Sequence, residues 1–240
     1  MLSDRTEREY RFYVRRWQAD GRPDPKAWLR TLTSDHARRN ARAALVWWHR
    51  TELGETLRLP PVPVTRKVPE ALTDGQLTQV LTAARVVHRR AAPTLELLYA
   101  TGARLNEACG VRIEDVTTTH VLLRQTKRSA ASGTRVERAI PLSPRSRSAT
   151  LELRSLPPGR LNTLVGVRDH TIGDWCRTLS RGLGYRVHPH LFRATFCTHL
   201  LQRGVPVHEV QRLMGHQDIT TTMRYAAVTD ERLALAVALL

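Results

Sequence analysis

Four prolines, Pro60, Pro61, Pro63 and Pro69, fall within ten residues and divide this 240-residue chain. Each fixes its own φ, removes a backbone donor and biases the preceding residue away from the helical region, so the segment reads as extended and semi-rigid. No helix or central strand is expected to run through it. The expected organisation is a short helical domain over residues 1–60, an extended linker over 61–70 and a larger domain over 71–240. Hydrophobic residues make up 41% of the chain, enough for folded cores on both sides of the divide.

Before the prolines the pattern is helical. Tyr10, Tyr13, Val14 and Trp17 recur at helical spacing, and Gly21-Arg22-Pro23 closes that segment. Pro25 opens a short helix with Trp28, Leu29 and Leu32. Ser34 or Asp35 can cap a third, with Ala41, Ala44, Leu45 and Trp48 on one face and many arginines on the other. Beyond the prolines, Thr73 and Gln76 form a capping box before helices expected over 74–88 and 91–101. Gly102 breaks the second of these, and another helix starts near Leu105. The runs 121–125 and 136–142 look like strands joined by a polar loop with Ser129, Ser132 and Gly133. From Thr171 the chain turns mainly helical, with turns at Gly182-Leu183-Gly184, Gly204 and Gly215. The expected fold class is mainly α with one small antiparallel β-hairpin, in two domains.

Charge narrows the function. Thirty-eight basic residues against twenty-two acidic ones give a net +16, which calls for a polyanionic partner, nucleic acid being the commonest. An acidic membrane surface or a ribosome would suit the same charge. Only Lys26, Lys67 and Lys127 are lysines; arginine supplies the other 35 basic residues. Cys109, Cys176 and Cys197 are odd in number and lack paired spacing, which argues against a disulfide framework or a zinc knuckle. No apolar run approaches the roughly 18 residues of a membrane span, and the first residues are too charged for a signal peptide. A cytoplasmic protein with no membrane partner is expected.

Four segments carry candidate chemistry. In Thr101-Gly102-Ala103-Arg104-Leu105-Asn106-Glu107, Arg104 opens a helix and Glu107 lies one turn on, able to hold its guanidinium. Lys127 follows a strand and precedes the polar loop; unlike arginine, lysine can give up a proton and act as a general acid. In His188-Pro189-His190-Leu191-Phe192-Arg193, His190 and Arg193 share one face at a helix start. Zinc held by His188, His190 and His199 is an alternative, but no metal-type spacing supports it, and His199 reads as a packing or capping histidine. Finally Leu213-Met214-Gly215-His216 precedes a helix capped by Asp218 that carries Tyr225. Alone, each segment has a plainer reading: a surface ion pair, a solvated lysine, a core histidine, a tyrosine on an amphipathic face.

Taken in order, the Arg of TGARLNE, the Lys of QTK, the His-x-x-Arg of HLFR, the Gly-His of LMGH and the Tyr of TTTMRY, nine residues past that His, resemble the signature of the tyrosine recombinase, or phage integrase, family. The resemblance covers roughly residues 65–235. Two positions depart from it: Ala194 stands where many relatives have a second His, and Phe192 replaces a Leu. The resemblance implies that Arg104, Lys127, His190, Arg193 and His216 surround a scissile phosphate, with Glu107 in support and Tyr225 as nucleophile. It implies a 3′-phosphotyrosine intermediate formed without metal, ATP or other cofactor.

The same resemblance makes the helical N-terminal region a core-type DNA-binding domain and implies that a separate arm-binding domain is absent. Arg38, Arg39 and Arg42 are its candidate DNA contacts. The implied partners are double-stranded DNA at attachment or core sites, three further copies in a homotetramer on DNA (monomer or weak oligomer when free), and an accessory directionality factor. The apolar end, residues 234–240, either packs on its own domain or docks on a neighbouring protomer. Integration or excision of a phage or mobile element is the expected role. The rivals are a type IB topoisomerase-like relaxing enzyme and a non-catalytic DNA-binding factor.

Overall fold

The computed structural model describes residues 2, 4–63, 69–124, 137–157, 159, 161–216 and 218–226. The chain forms two compact units, Met1–Lys67 and Val68–Leu240. Among the described residues no helix is long and apolar enough to cross a membrane.

The first unit contains α1 (Asp4–Ala19), α2 (Pro25–Thr31) and α3 (Asp35–Trp48), the last running on into a π-turn over His49–Leu53. The caps follow local chemistry. Asp24 accepts from the Ala27 amide, and Ser34, rather than Asp35, accepts from the Ala37 amide. Trp17, Trp28, Leu29, Leu32, Ala41, Leu45 and Leu59 make the core. Both buried indoles find acceptors: Trp17 donates to the Pro23 carbonyl at 2.8 Å and Trp28 to Asp20 at 2.7 Å. Arg42 donates to the carbonyls of Leu59 (2.8 Å) and Pro60 (2.9 Å), stapling the start of the proline segment to α3.

The second unit opens with α4 (Asp74–Val87) behind the Thr73/Gln76 capping box, then α5 (Ala91–Thr101) and α6 (Leu105–Cys109). A 3-10 turn at Ile113–Asp115 leads to β1 (His120–Arg124), which pairs antiparallel with β2 (Glu137–Pro141) in the register Leu123 to Arg138 and Val121 to Ile140. Then come α7 (Pro144–Ser155), α8 (Asp169–Leu183), α9 (Pro189–Gln202), α10 (Val207–Met214) and α11 (Ile219–Ala226). The joining loop of the hairpin, with Ser129, Ser132 and Gly133, lies outside the described residues, as do Lys127 and the apolar end 234–240.

Helix α7 is an element the sequence reading lacked. Ser143 caps it and Pro144 occupies its first turn, yet its buried face is Ser146, Ala149, Thr150 and Leu153, too polar to register as an apolar stripe. Helix α8 also runs through Gly182 and stops only at Gly184, whose φ is 75°.

Two helices buried on nearly every side, α5 and α9, organise this unit. Gly102 at the end of α5 meets Arg193 and Phe196, while Tyr99 meets His199, so the two helices run antiparallel. The end of α5 therefore lies beside the start of α9, which brings Arg104 and His190 into one region. Gly102 makes this possible: its φ is 60°, and a Cβ there would overlap the Phe196 ring. Gly102→Ala should lower unfolding free energy by about 2–3 kcal/mol in denaturant titration; an unchanged midpoint would contradict this packing.

Candidate active site

Arg193 is the innermost of the predicted residues. It is 2% exposed, and its guanidinium donates to the carbonyls of Gly102 and Met214, the latter at 2.6 Å. Burial, then the charges of Arg104 and Arg138, push its pKa down to about 9, so it stays cationic at neutral pH. Arg104 caps α6 from an extended conformation. Its guanidinium donates to Glu107 at 2.7 Å and reaches the Gly215 carbonyl at 3.3 Å.

Glu107 is almost fully enclosed and accepts four hydrogen bonds. Two come from Arg104, through Nη1 and the backbone amide, and two from Arg138, at 3.1 and 2.7 Å. Burial works to raise its pKa, but the hydrogen bonds and charge of Arg138 and the bonds from Arg104 outweigh it and hold it at about 2. Three guanidiniums thus face one carboxylate, leaving two positive charges over.

His190 stands at the first turn of α9, open to solvent on one side. Partial desolvation and repulsion from Arg193 and Arg104 keep it below the ordinary histidine range. His216 follows the left-handed Gly215 and sits with its Nδ1 2.9 Å from the Thr222 hydroxyl, which leaves Nε2 as its other hydrogen-bonding atom. Burial, then Arg193, Arg104, Arg138 and His190, push His216 down to about 3. Tyr225 is 8% exposed on α11 and packs toward α9. Burial and Cys197 raise its pKa, while Arg193 and Arg224 pull the other way. At neutral pH the resting phenol keeps its proton.

The structure therefore brings Arg104, Glu107, His190, Arg193, His216 and Tyr225 together. Two residues join them that sequence reasoning missed. Arg138 faces inward from β2 on the side of Ile140, an alternation readable in the strand but lost among so many arginines. Thr222 is fully buried one helical turn before Tyr225 and fixes His216 relative to it.

Other candidates have different surroundings. His199 lies between the Tyr99 hydroxyl (3.0 Å) and the Leu72 carbonyl (2.9 Å), both ring nitrogens occupied, as a packing histidine. Arg38 donates to the Leu32 carbonyl and pairs with Asp35, Arg42 is held at Leu59 and Pro60, and Arg39 is half-buried. On α1 by contrast, Arg8, Arg15, Arg16 and the 58% exposed Phe12 form an outward face of the first unit.

Known proteins resemble this chain in sequence and in fold. A model of the phage integrase family matches residues 168–232, the stretch with His190, Arg193, His216 and Tyr225. Tyrosine recombinase XerA of Thermococcus kodakarensis is 30% identical over 98% of this chain and 88% of its own length. A tyrosine recombinase of Pseudothermotoga lettingae is 29% identical over 74% of the chain, a match that spans only 62% of that relative. In fold, the chain resembles a lambda integrase tetramer bound to a Holliday junction, with a TM-score of 0.73 and 15% identity, over 94% of this chain and 72% of that one. The larger unit thus has the fold of a tyrosine recombinase catalytic domain. The chain belongs to the tyrosine recombinase family, whose members break and rejoin DNA.

The shifted groups fix how stability depends on pH. Unfolding returns His216 from about 3 to 6.5 and Glu107 from about 2 to 4.5, so between those values the unfolded chain binds more protons than the folded one. Stability should therefore fall as pH drops below about 6.5, more steeply below about 4.5. In His216→Gln the loss between pH 6.5 and 4.5 should be smaller than in wild type; parallel curves from denaturant titration would refute the assignment.

Proposed function

We propose that this chain is a site-specific DNA recombinase that cuts and reseals strands through a covalent 3′-phosphotyrosine at Tyr225. The observation that carries the reading is the surplus positive charge of Arg104, Arg138 and Arg193, gathered with His190 and His216 beside a buried tyrosine. That charge matches a phosphodiester and, more strongly, the charge that grows on its non-bridging oxygens as a nucleophile adds. A metal or ATP is not needed to balance the step.

In this mechanism the Tyr225 oxygen attacks phosphorus, a P–O bond to tyrosine forms, and the bond to the 5′-oxygen breaks. The phenolic proton passes to His190, and the departing oxygen takes a proton from Lys127. Arg104 and Arg193 each have further N–H groups for the phosphoryl oxygens, and His216 offers Nε2. Attack by a 5′-hydroxyl from another strand reverses the bonds and restores a phosphodiester, so bond energy is conserved. Glu107 does not touch the phosphate; it orients Arg104.

The second unit is read as the catalytic domain and the first as a DNA-binding domain that contacts backbone phosphates through α1, where Arg8, Arg15 and Arg16 are exposed. Four copies acting together on DNA are proposed, as in the lambda integrase tetramer bound to a Holliday junction, with an accessory directionality factor where recombination runs one way. The role proposed first is integration or excision of a phage or mobile element. Resolution of joined replicons is a second reading, favoured by the XerA and XerD names among its curated relatives. Two target sites on one circle, against sites on separate circles, separate integration from resolution: integration joins separate circles, whereas resolution, like excision, acts on two sites of one.

A pool of nicked suicide duplexes with a randomised core tests the chemistry, since loss of the short cut strand traps the intermediate. Wild type should yield an SDS-stable protein–DNA adduct on selected duplexes and Tyr225→Phe none; an adduct that persists in Tyr225→Phe rules out this nucleophile. Arg104→Lys should bind the selected duplex within about threefold of wild type but cleave it about 10²–10³-fold more slowly. The double variant Arg15→Gln/Arg16→Gln should reduce the slope of log affinity against log salt by about two; an unchanged slope removes α1 from the DNA contact.

A further inference from the structure

We infer that Arg138 is a positioning residue for strand cleavage, holding Glu107 and through it the Arg104 guanidinium and the Gly215–His216 turn in reactive register. The inference rests on the phosphotyrosine reading above and adds to it a residue outside the Arg–Lys–His–Arg–His–Tyr series.

Three observations carry it. First, a guanidinium only 8% exposed is costly to bury, and its partner is the one carboxylate that Arg104 already engages. Each Glu107 oxygen accepts once from Arg104 and once from Arg138: Oε1 at 2.7 and 3.1 Å, Oε2 at 2.8 and 2.7 Å. The carboxylate is fully engaged and has no freedom to rotate away from Arg104. Neutralising a single buried carboxylate would need one arginine; the second supplies orientation and extra positive charge.

Second, Arg138 packs against the turn that presents His216. A Cβ on Gly215 would fall 2.9 Å from Arg138 Nη1, so the turn is set both by its left-handed φ of 62° and by this side chain. Third, Arg138 Nε is buried and has no hydrogen-bond partner among the described residues. Cohesion alone would be served as well by apolar side chains of similar volume in place of the whole Arg138–Glu107 pair, which leaves no donor unsatisfied. Keeping an orphaned donor here makes sense if the planar fork toward Glu107 is what matters.

The fork explains why lysine is a poor substitute: it carries the charge but cannot grip both oxygens. Losing it lets Arg104 drift by a few tenths of an ångström, which slows a step that depends on alignment more than it weakens duplex binding spread over many phosphates.

The test uses the full chain and the suicide duplex selected with wild type, with single-turnover cleavage and duplex affinity measured for Arg138→Met and Arg138→Lys. Arg138→Met should cleave about 10–100-fold more slowly with affinity within about threefold, and Arg138→Lys should recover only a minor part of the rate. In parallel, the ring of His216 is titrated by NMR without DNA. Its midpoint should rise in Arg138→Met, which removes a repelling charge, and stay near wild type in Arg138→Lys.

Cleavage by Arg138→Met at the wild-type rate, or a rate loss matched by loss of folded protein in thermal melts, overturns the positioning role. So does an unmoved His216 midpoint. If wild type forms no adduct, the phosphotyrosine reading fails, while the His216 titration still decides whether Arg138 governs this site.

Discussion

Helices α5 and α10 both end with carbonyl groups that lack partners within the helix, and Arg193 satisfies one at each end. Its guanidinium donates to Gly102, just past α5, and to Met214, the last residue of α10. Two residues beyond each of these acceptors stand Arg104 and His216. Both turns are made by a glycine with positive φ, Gly102 at 60° and Gly215 at 62°, so the chain reverses close to the guanidinium without a side chain in the way. One buried cation therefore sets the separation between two segments that are more than a hundred residues apart in sequence. Without it, two helix ends would lose a hydrogen bond each and the site would lose its frame.

The second constraint is charge. Burial, then repulsion from Arg104 and Arg138, lowers the proton affinity of Arg193, while Glu107 and Tyr225 pull the other way. Such a cluster stores unfavourable electrostatic energy in the free protein. An anion placed among the three relieves it, which makes the region selective for phosphate over a neutral group and keeps both histidines neutral until an anion arrives. Neutral histidines suit the chemistry, since His190 can then accept a proton. Tyr225 is held in the opposite sense: burial favours its protonated form, so the proposed nucleophile keeps its proton at rest. In this account the substrate phosphate and the arginines around it complete the conditions for ionisation.

Much of this was legible in the sequence because the site is built at helix ends, where chemistry leaves local marks. Gly102 and Gly215 announced the two turns, Thr73 and Gln76 the start of α4, and the His-x-x-Arg spacing placed His190 and Arg193 on one face. The hairpin was also readable from two runs of strand-forming residues. What stayed hidden depends on partners distant in sequence. Arg138 owes its role to a carboxylate 31 residues earlier, and in a chain where arginine supplies nearly all the positive charge it offered no contrast. Thr222 is one of three adjacent threonines, of which only packing shows which is buried against His216. Helix α7 hid behind serines and threonines on its inner face. On α3, Arg38 and Arg42 donate to nearby backbone carbonyls, partners that a run of arginines does not reveal.

Tyr225 gains its meaning from Arg193, whose charge reaches it, and from His216, tied to the same helix through Thr222. The most direct measurement is mass spectrometry of the adduct trapped on a suicide duplex, after digestion with protease and nuclease. A nucleotide joined through its 3′-phosphate to the peptide containing Tyr225, and to no other tyrosine, is the expected product. A nucleotide linked through a 5′-phosphate, or carried on a different residue, would contradict it.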